Sequence, residues 1–176
     1  GAISETGREL GLLEIGSADG IAFAHARMRV GEAMAPPLIR RVRQCTASQG
    51  LTLIDAPPGT SCPVIAAMKD TDFVLLVTEP TPFGLHDLKL AVEAVKTLKI
   101  PMGLVINRAD LGDDAVKAYA RSEEVPVLLE IPFDRRIAES YSRGELIARA
   151  MPEWKDRFQE LFDAIVPLST AGGAAR

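Results

Sequence analysis

Cysteine is scarce in this 176-residue sequence: Cys45 and Cys62 are its only two thiols. Two cysteines set apart from each other make neither a zinc site nor a disulfide framework. Such sparing use fits a reducing compartment. Also missing is any apolar run near the ~18 residues that would span a bilayer. The opening GAISETGREL has none of the charged-then-apolar layout of a secretory signal. There is no long basic run, and the net charge of −4 argues against a general nucleic-acid binder. These absences lead us to expect a soluble cytoplasmic protein with no membrane-spanning segment and no nucleic-acid partner.

What is present is ordinary globular composition, 47% apolar and 25% charged, enough for one α/β domain with a real core. From Arg8 to Val30 the sequence predicts a hairpin. Leu10–Ile15 is apolar, Gly16–Gly20 carries turn residues, and Ile21–Val30 alternates. Period two puts Ala22, Ala24, Ala26, Met28 and Val30 on one face, and Phe23, His25, Arg27 and Arg29 on the other. After Pro36-Pro37 a helix is predicted, with Leu38, Val42 and Cys45 on its buried stripe. Arg40, Arg41 and Arg43 would form a solvated face, and Gly50 would end the helix. Leu51–Ile54, Phe73–Val77, Met102–Ile106 and Val127–Ile131 then read as strands buried on both faces. Leu85, Leu88, Val92 and Val95 make one helical stripe, and Trp154, Phe158, Leu161 and Ile165 another. Strands alternating with helices predict a mostly parallel sheet covered on both sides. The polar, small-residue end from Ser169 reads as a disordered tail.

Ligands of such sheets bind at the carboxyl ends of the strands. After Leu51–Ile54 comes Asp55-Ala-Pro-Pro-Gly59-Thr. A strand-end acid can hold Mg²⁺ through water. A glycine shortly beyond can bring a bare N–H against a terminal phosphate. Asp55 alone is more often just a strand-end acid before a proline turn; the whole string favours the functional reading. Asn107, after the third strand, offers a donor and an acceptor to a base edge, or equally caps a turn. In Asn107-Arg-Ala-Asp110 the carboxylate of Asp110 could select guanine, whose N1–H and N2–H it would accept.

The string Leu53-Ile-Asp-Ala-Pro-Pro-Gly-Thr60 resembles the Walker B and switch II segment of the MinD/ParA/Mrp family of P-loop ATPases. The resemblance continues in order through Val77-Thr-Glu-Pro80, Val105-Ile-Asn-Arg108 and Ile131-Pro-Phe-Asp134. It implies a three-layer P-loop NTPase-like fold of the SIMIBI/MinD type. It also implies that Asp55 supports Mg²⁺, Gly59 senses the γ-phosphate beside Pro58, Asn107 binds the base, and Pro132, Phe133 and Asp134 flank it. ATP is the implied nucleotide, with GTP left open by Asp110. The segment Ile21–Arg43 and the opening Gly1-Ala2-Ile3 resemble MinD-superfamily members with an inserted ferredoxin domain. We therefore expect residues 1–35 to be a hairpin region following such an insert, with its Fe–S clusters, and residues 36–168 to be the α/β core. The resemblance further implies a homodimer working with redox or iron–sulfur partner proteins. Cys62 stands at the offset of a cluster-ligating cysteine in the related nitrogenase iron protein. A buried apolar cysteine at a helix start is the favoured reading, since clusters usually take four thiolates. His25 could face the ferredoxin module, but a solvated strand histidine is favoured.

The sequence departs from the family at one decisive place: no G-x-x-x-x-G-K-[ST] string occurs in it. Without that loop a phosphate cradle, its lysine and a Ser/Thr ligand for Mg²⁺ are all missing, so these residues alone are expected not to hydrolyse nucleotide. In the family's sheet the P-loop strand lies between Leu51–Ile54 and Val74–Val77. We expect these two to close up and pair in parallel rather than leave unpaired buried backbone. A non-catalytic α/β interaction scaffold is the alternative; nothing resembles the phosphate loops of flavodoxin-like or sugar-binding modules.

Overall fold

The structure is a computed structural model that describes residues 7–45 and 50–173. It divides into two compact units, Gly1–Lys69 and Asp70–Arg176. The first unit thus holds the hairpin region expected at residues 1–35 together with the chain up to Lys69. The helix after the prolines packs with the hairpin and with the next helix, so it belongs to the first unit.

In the first unit, β1 (Gly11–Ala18) pairs antiparallel with β2 (Ile21–Met28). Ala18 faces Ile21, which leaves Asp19 and Gly20 as a two-residue turn. Both have positive φ, +51° and +80°, the combination whose twist matches paired strands. The turn is thus shorter than the expected Gly16–Gly20, and β1 runs three residues past Ile15. The alternation of β2 shows only at its middle: Ala24 and Ala26 are half-buried between exposed Phe23, His25 and Arg27, while Ala22 and Met28 are exposed and Val30 lies beyond the strand. His25 lies opposite Glu14 in the register and contacts its carboxylate at 2.9 Å.

Helix α1 (Ala35–Arg43) begins at Ala35, with prolines in its first turn where no N–H is needed. The arginine face is not wholly solvated. Arg43 is half-buried and donates from Nη1 to the carbonyl of Ala66 in α2 (Cys62–Met68), at 2.9 Å. Glu32, just before α1, has a side chain only 3% exposed. It accepts from the Met34 N–H at 2.9 Å and pairs with Arg8 at 2.7 Å. The Met34 N–H first, and the Arg8 charge after it, hold this carboxyl below the ordinary range. Helix α1 ends at Arg43, capped at Gln44, well short of the expected end at Gly50; residues 46–49 lie outside the described ones.

The second unit is a parallel sheet in the order β3 (Val74–Thr78), β4 (Met102–Asn107), β5 (Val127–Ile131). The central strand β4 is buried from Gly103 to Ile106, as a strand covered on both faces should be. Helix α3 (Pro82–Leu98) connects β3 to β4, and α4 (Ala115–Ser122) connects β4 to β5. The core joins Leu88 and Val92 of α3, Leu104 and Ile106 of β4, Val116 and Ala120 of α4, and Val125. Helices α5 (Arg135–Ser142), α6 (Ile147–Ala150) and α7 (Glu153–Gly173) follow. Trp154 is buried near the start of α7, whose stripe continues through half-buried Phe158, Leu161 and Ile165. Helix α7 reaches Gly173, so the expected tail from Ser169 starts as helix; residues 174–176 lie outside the described ones.

One expected strand is not formed. Residues 51–57 have no regular structure, and Leu51 and Leu53 are 66% and 85% exposed. A short apolar run becomes a strand only when a neighbour completes its ladder, and this run has none among the described residues. The expected closure of Leu51–Ile54 onto Val74–Val77 is therefore absent. Within its sheet β3 pairs with β4 alone, and Val77 is 64% exposed.

Candidate functional site

The carboxyl ends of β3, β4 and β5 bring three segments together. From β3 the chain passes through Glu79, Pro80 and Thr81 into α3. Thr81 caps α3 by accepting from the Gly84 N–H at 3.0 Å, and Thr78 Oγ1 donates to the Gly84 carbonyl at 2.9 Å. A Cβ at Gly84 would collide with the carbonyl of Glu79. The bare glycine thus lets the Glu79 backbone sit directly on the first turn of α3.

From β4, Asn107 Nδ2 donates to Glu79 Oε1 at 3.3 Å. Arg108 follows with φ +52°, and its Nε lies 3.6 Å from the same carboxylate oxygen. The Ala109 N–H donates to the carbonyl of Ile131 at 2.9 Å, joining this loop to the end of β5. Gly112, at φ +90°, passes so close to the Pro80 carbonyl that a Cβ there would overlap it. An open hollow of about 400 Å³ lies here, lined by Val77, Thr78, Glu79, Thr81, Gly84, Asp87 and Asn107.

From β5, exposed Pro132 and Phe133 lead into α5. Asp110 accepts from the Phe133 N–H through Oδ1, and the Arg108 guanidinium lies 5.8 Å from the Phe133 ring centroid. Asp134 caps α5 by accepting from the Arg136 N–H at 2.8 Å, and its two oxygens also take the Arg136 guanidinium at 2.6–3.2 Å. The Arg136 side chain first, then its N–H, hold the Asp134 carboxyl below the ordinary range.

Of the residues singled out in the sequence, Asn107, Asp110, Pro132, Phe133 and Asp134 thus share one end of the parallel sheet. Asp55, Pro58, Gly59 and Cys62 belong to the first unit, where the first three lie in an exposed stretch without regular structure. Gly59 has φ +95° with open space around its α-carbon. Cys62 opens α2 as expected, yet it is exposed, not buried. Sequence reading assigned no role to Glu79 or Arg108. Both stood inside the quoted strings, but their shared carboxylate contact joins positions far apart in sequence.

No family model matches the sequence. The chain is 32% identical over 121 residues to one uncharacterised protein of Methanocaldococcus jannaschii, an alignment covering 68% of this chain and 42% of that protein. It is 23% identical over 148 residues to a second uncharacterised protein of the same archaeon, covering 83% of this chain and 51% of that one. The chain thus spans about half the length of the curated relatives it matches. Among the described residues no helix is long and apolar enough to cross a membrane.

Proposed function

We propose that this chain is the base-binding part of a cytoplasmic ATPase of the MinD/ParA/Mrp kind, whose lysine loop lies elsewhere in a longer protein. The observation that carries the reading is the Glu79–Asn107 pair in the hollow at the carboxyl ends of parallel strands, with Phe133 nearby on the neighbouring loop. An amide that can both donate and accept suits a base edge, and an exposed aromatic ring suits its face. Asp110 Oδ1 accepts the Phe133 N–H and so holds the loop after β5; the preference for ATP over GTP rests on the resemblance to the family.

Asp55 and Gly59 would act on the phosphate side. Exposed Asp55 fits an outer-sphere partner of Mg²⁺, and Gly59 fits the close approach of a backbone N–H to phosphate. Among the described residues no three His, Cys, Asp or Glu side chains gather into a metal site. Mg²⁺ in such an ATPase would take its ligands mainly from nucleotide, water and the lysine loop's Ser/Thr. Cys62 alone does not fit a cluster, so Fe–S chemistry would reside in a ferredoxin module or across a homodimer working with redox partners. The scaffold reading is favoured by one fact, the lack of a lysine loop in the sequence.

Calorimetry with Mg·ATP separates these readings. This chain alone should bind with a dissociation constant above about 1 mM, while the longer protein should bind and hydrolyse ATP. In that protein Asp55→Asn should abolish turnover and leave some binding, because a carboxylate behind Mg²⁺ acts mainly on charge developing at the transferred phosphoryl group. A longer protein that binds no nucleotide would establish the scaffold reading.

A further inference from the structure

We infer that Glu79 sets the base selectivity of this site by fixing which end of the Asn107 amide faces the nucleotide. The inference rests on the nucleotide-binding reading above and deepens it.

An ionised carboxylate accepts hydrogen bonds and cannot donate them. Glu79 Oε1 lies 3.3 Å from the Asn107 amide nitrogen, so that contact is satisfied only with the nitrogen turned toward Glu79. The opposite orientation would set two acceptor oxygens against each other. The choice between amide ends, often ambiguous in a structure, is decided here by the partner's chemistry. Arg108 also attends the carboxylate, its Nε 3.6 Å from the same oxygen. Glu79 is held from behind as well: the first turn of α3 closes on its carbonyl at Gly84, and Pro80 is buried.

With the nitrogen so committed, Asn107 keeps its Oδ1 acceptor and its second N–H for a ligand in the hollow. That acceptor–donor edge complements a purine with an exocyclic 6-amino group and an N7 acceptor, the pattern of adenine. Guanine presents an O6 acceptor where Oδ1 also accepts, and is repelled. Glu79 is thus a positioning residue: it need not touch the base to choose it.

Glu79→Gln tests this, because a glutamine amide can donate or accept and so releases Asn107 to turn over. The assay is competition binding of Mg·ATP, Mg·GTP and Mg·purine riboside triphosphate, which lacks the 6-amino group, to the full-length protein carrying this chain. The wild type should prefer ATP to each of the other two by about fivefold or more, and Glu79→Gln should lose most of that preference. Asn107→Ala is measured in parallel. A merely structural role for Glu79 would weaken all three nucleotides alike, so an unchanged ATP/GTP ratio in Glu79→Gln overturns the inference. If Asn107→Ala weakens ATP while that ratio stays unchanged, the inference alone fails. If Asn107→Ala leaves ATP affinity intact, or the wild type prefers GTP, the site reading fails and takes the inference with it.

Discussion

Replacing Gly112 by alanine should be far more damaging than the addition of one methyl group suggests. At φ +90° an L side chain is strained, and the new Cβ would overlap the Pro80 carbonyl oxygen while lying 3.0 Å from its carbon and 3.4 Å from Pro80 Cβ. The obstacle is backbone at a buried proline, so no side-chain rotation relieves it. Left-handed strain contributes about 1 kcal/mol, and overpacking against backbone adds about 1–3 kcal/mol. The total is roughly 2–4 kcal/mol, which lowers the melting temperature by roughly 4–16 °C for a chain of this size. Gly144 provides an internal control: it has φ +70° but open space around it, so Gly144→Ala should show the strain contribution of about 1 kcal/mol alone. Thermal and urea unfolding followed by circular dichroism would measure both. Equal effects at the two positions, or a neutral Gly112→Ala, would refute the reasoning that the loop after β4 is pressed onto the loop after β3.

Asp110→Ala removes the acceptor that holds the Phe133 N–H. In the full-length protein it should weaken ATP and GTP together and leave their ratio unchanged; a selective loss of GTP would assign Asp110 to guanine instead. Glu32 gives a pH dependence. Its carboxyl is held below the ordinary carboxylate value by the Met34 N–H and by Arg8, so the folded state binds its proton less readily than the unfolded state. Its contribution to stability is complete above the unfolded value and is lost as pH falls through the lower folded one. Glu32→Gln should flatten this acid limb in urea unfolding measured from about pH 6 downward, and an unchanged slope would show that the carboxylate contributes nothing there.

Local pattern made much of this fold legible. Val127–Ile131 is a strand with the expected ends, the buried face of α3 follows from its helical period, and the burial of β4 from its unbroken apolar run. Leu51–Ile54 shows the limit: its four residues look like strand, but a ladder depends on neighbours that the pattern does not contain. Arg43 misled for the same reason. Its place off the helical stripe predicted solvent, whereas the carbonyl it reaches belongs to another helix. Asn107, Asp110 and Phe133 could be placed at one end of the sheet because Asn107 closes β4 and the other two stand just past β4 and β5. Glu79 carried no signal of its own, because its meaning lies in a partner 28 residues away that only the parallel register brings alongside.

That register also divides the backbone of β3 into two populations. The Val74 N–H donates to the carbonyl of Pro101 at 2.9 Å. Strand alternation then turns the amides of Leu76 and Thr78 toward β4, and those of Leu75 and Val77 away from it. Amide protons of the first set open only when the sheet opens; those of the second have no ladder partner among the described residues and can trade with deuterium from the closed sheet. A single five-residue strand thus carries two clocks interleaved residue by residue, one reporting on the integrity of the sheet and the other on whatever comes to lie along its edge.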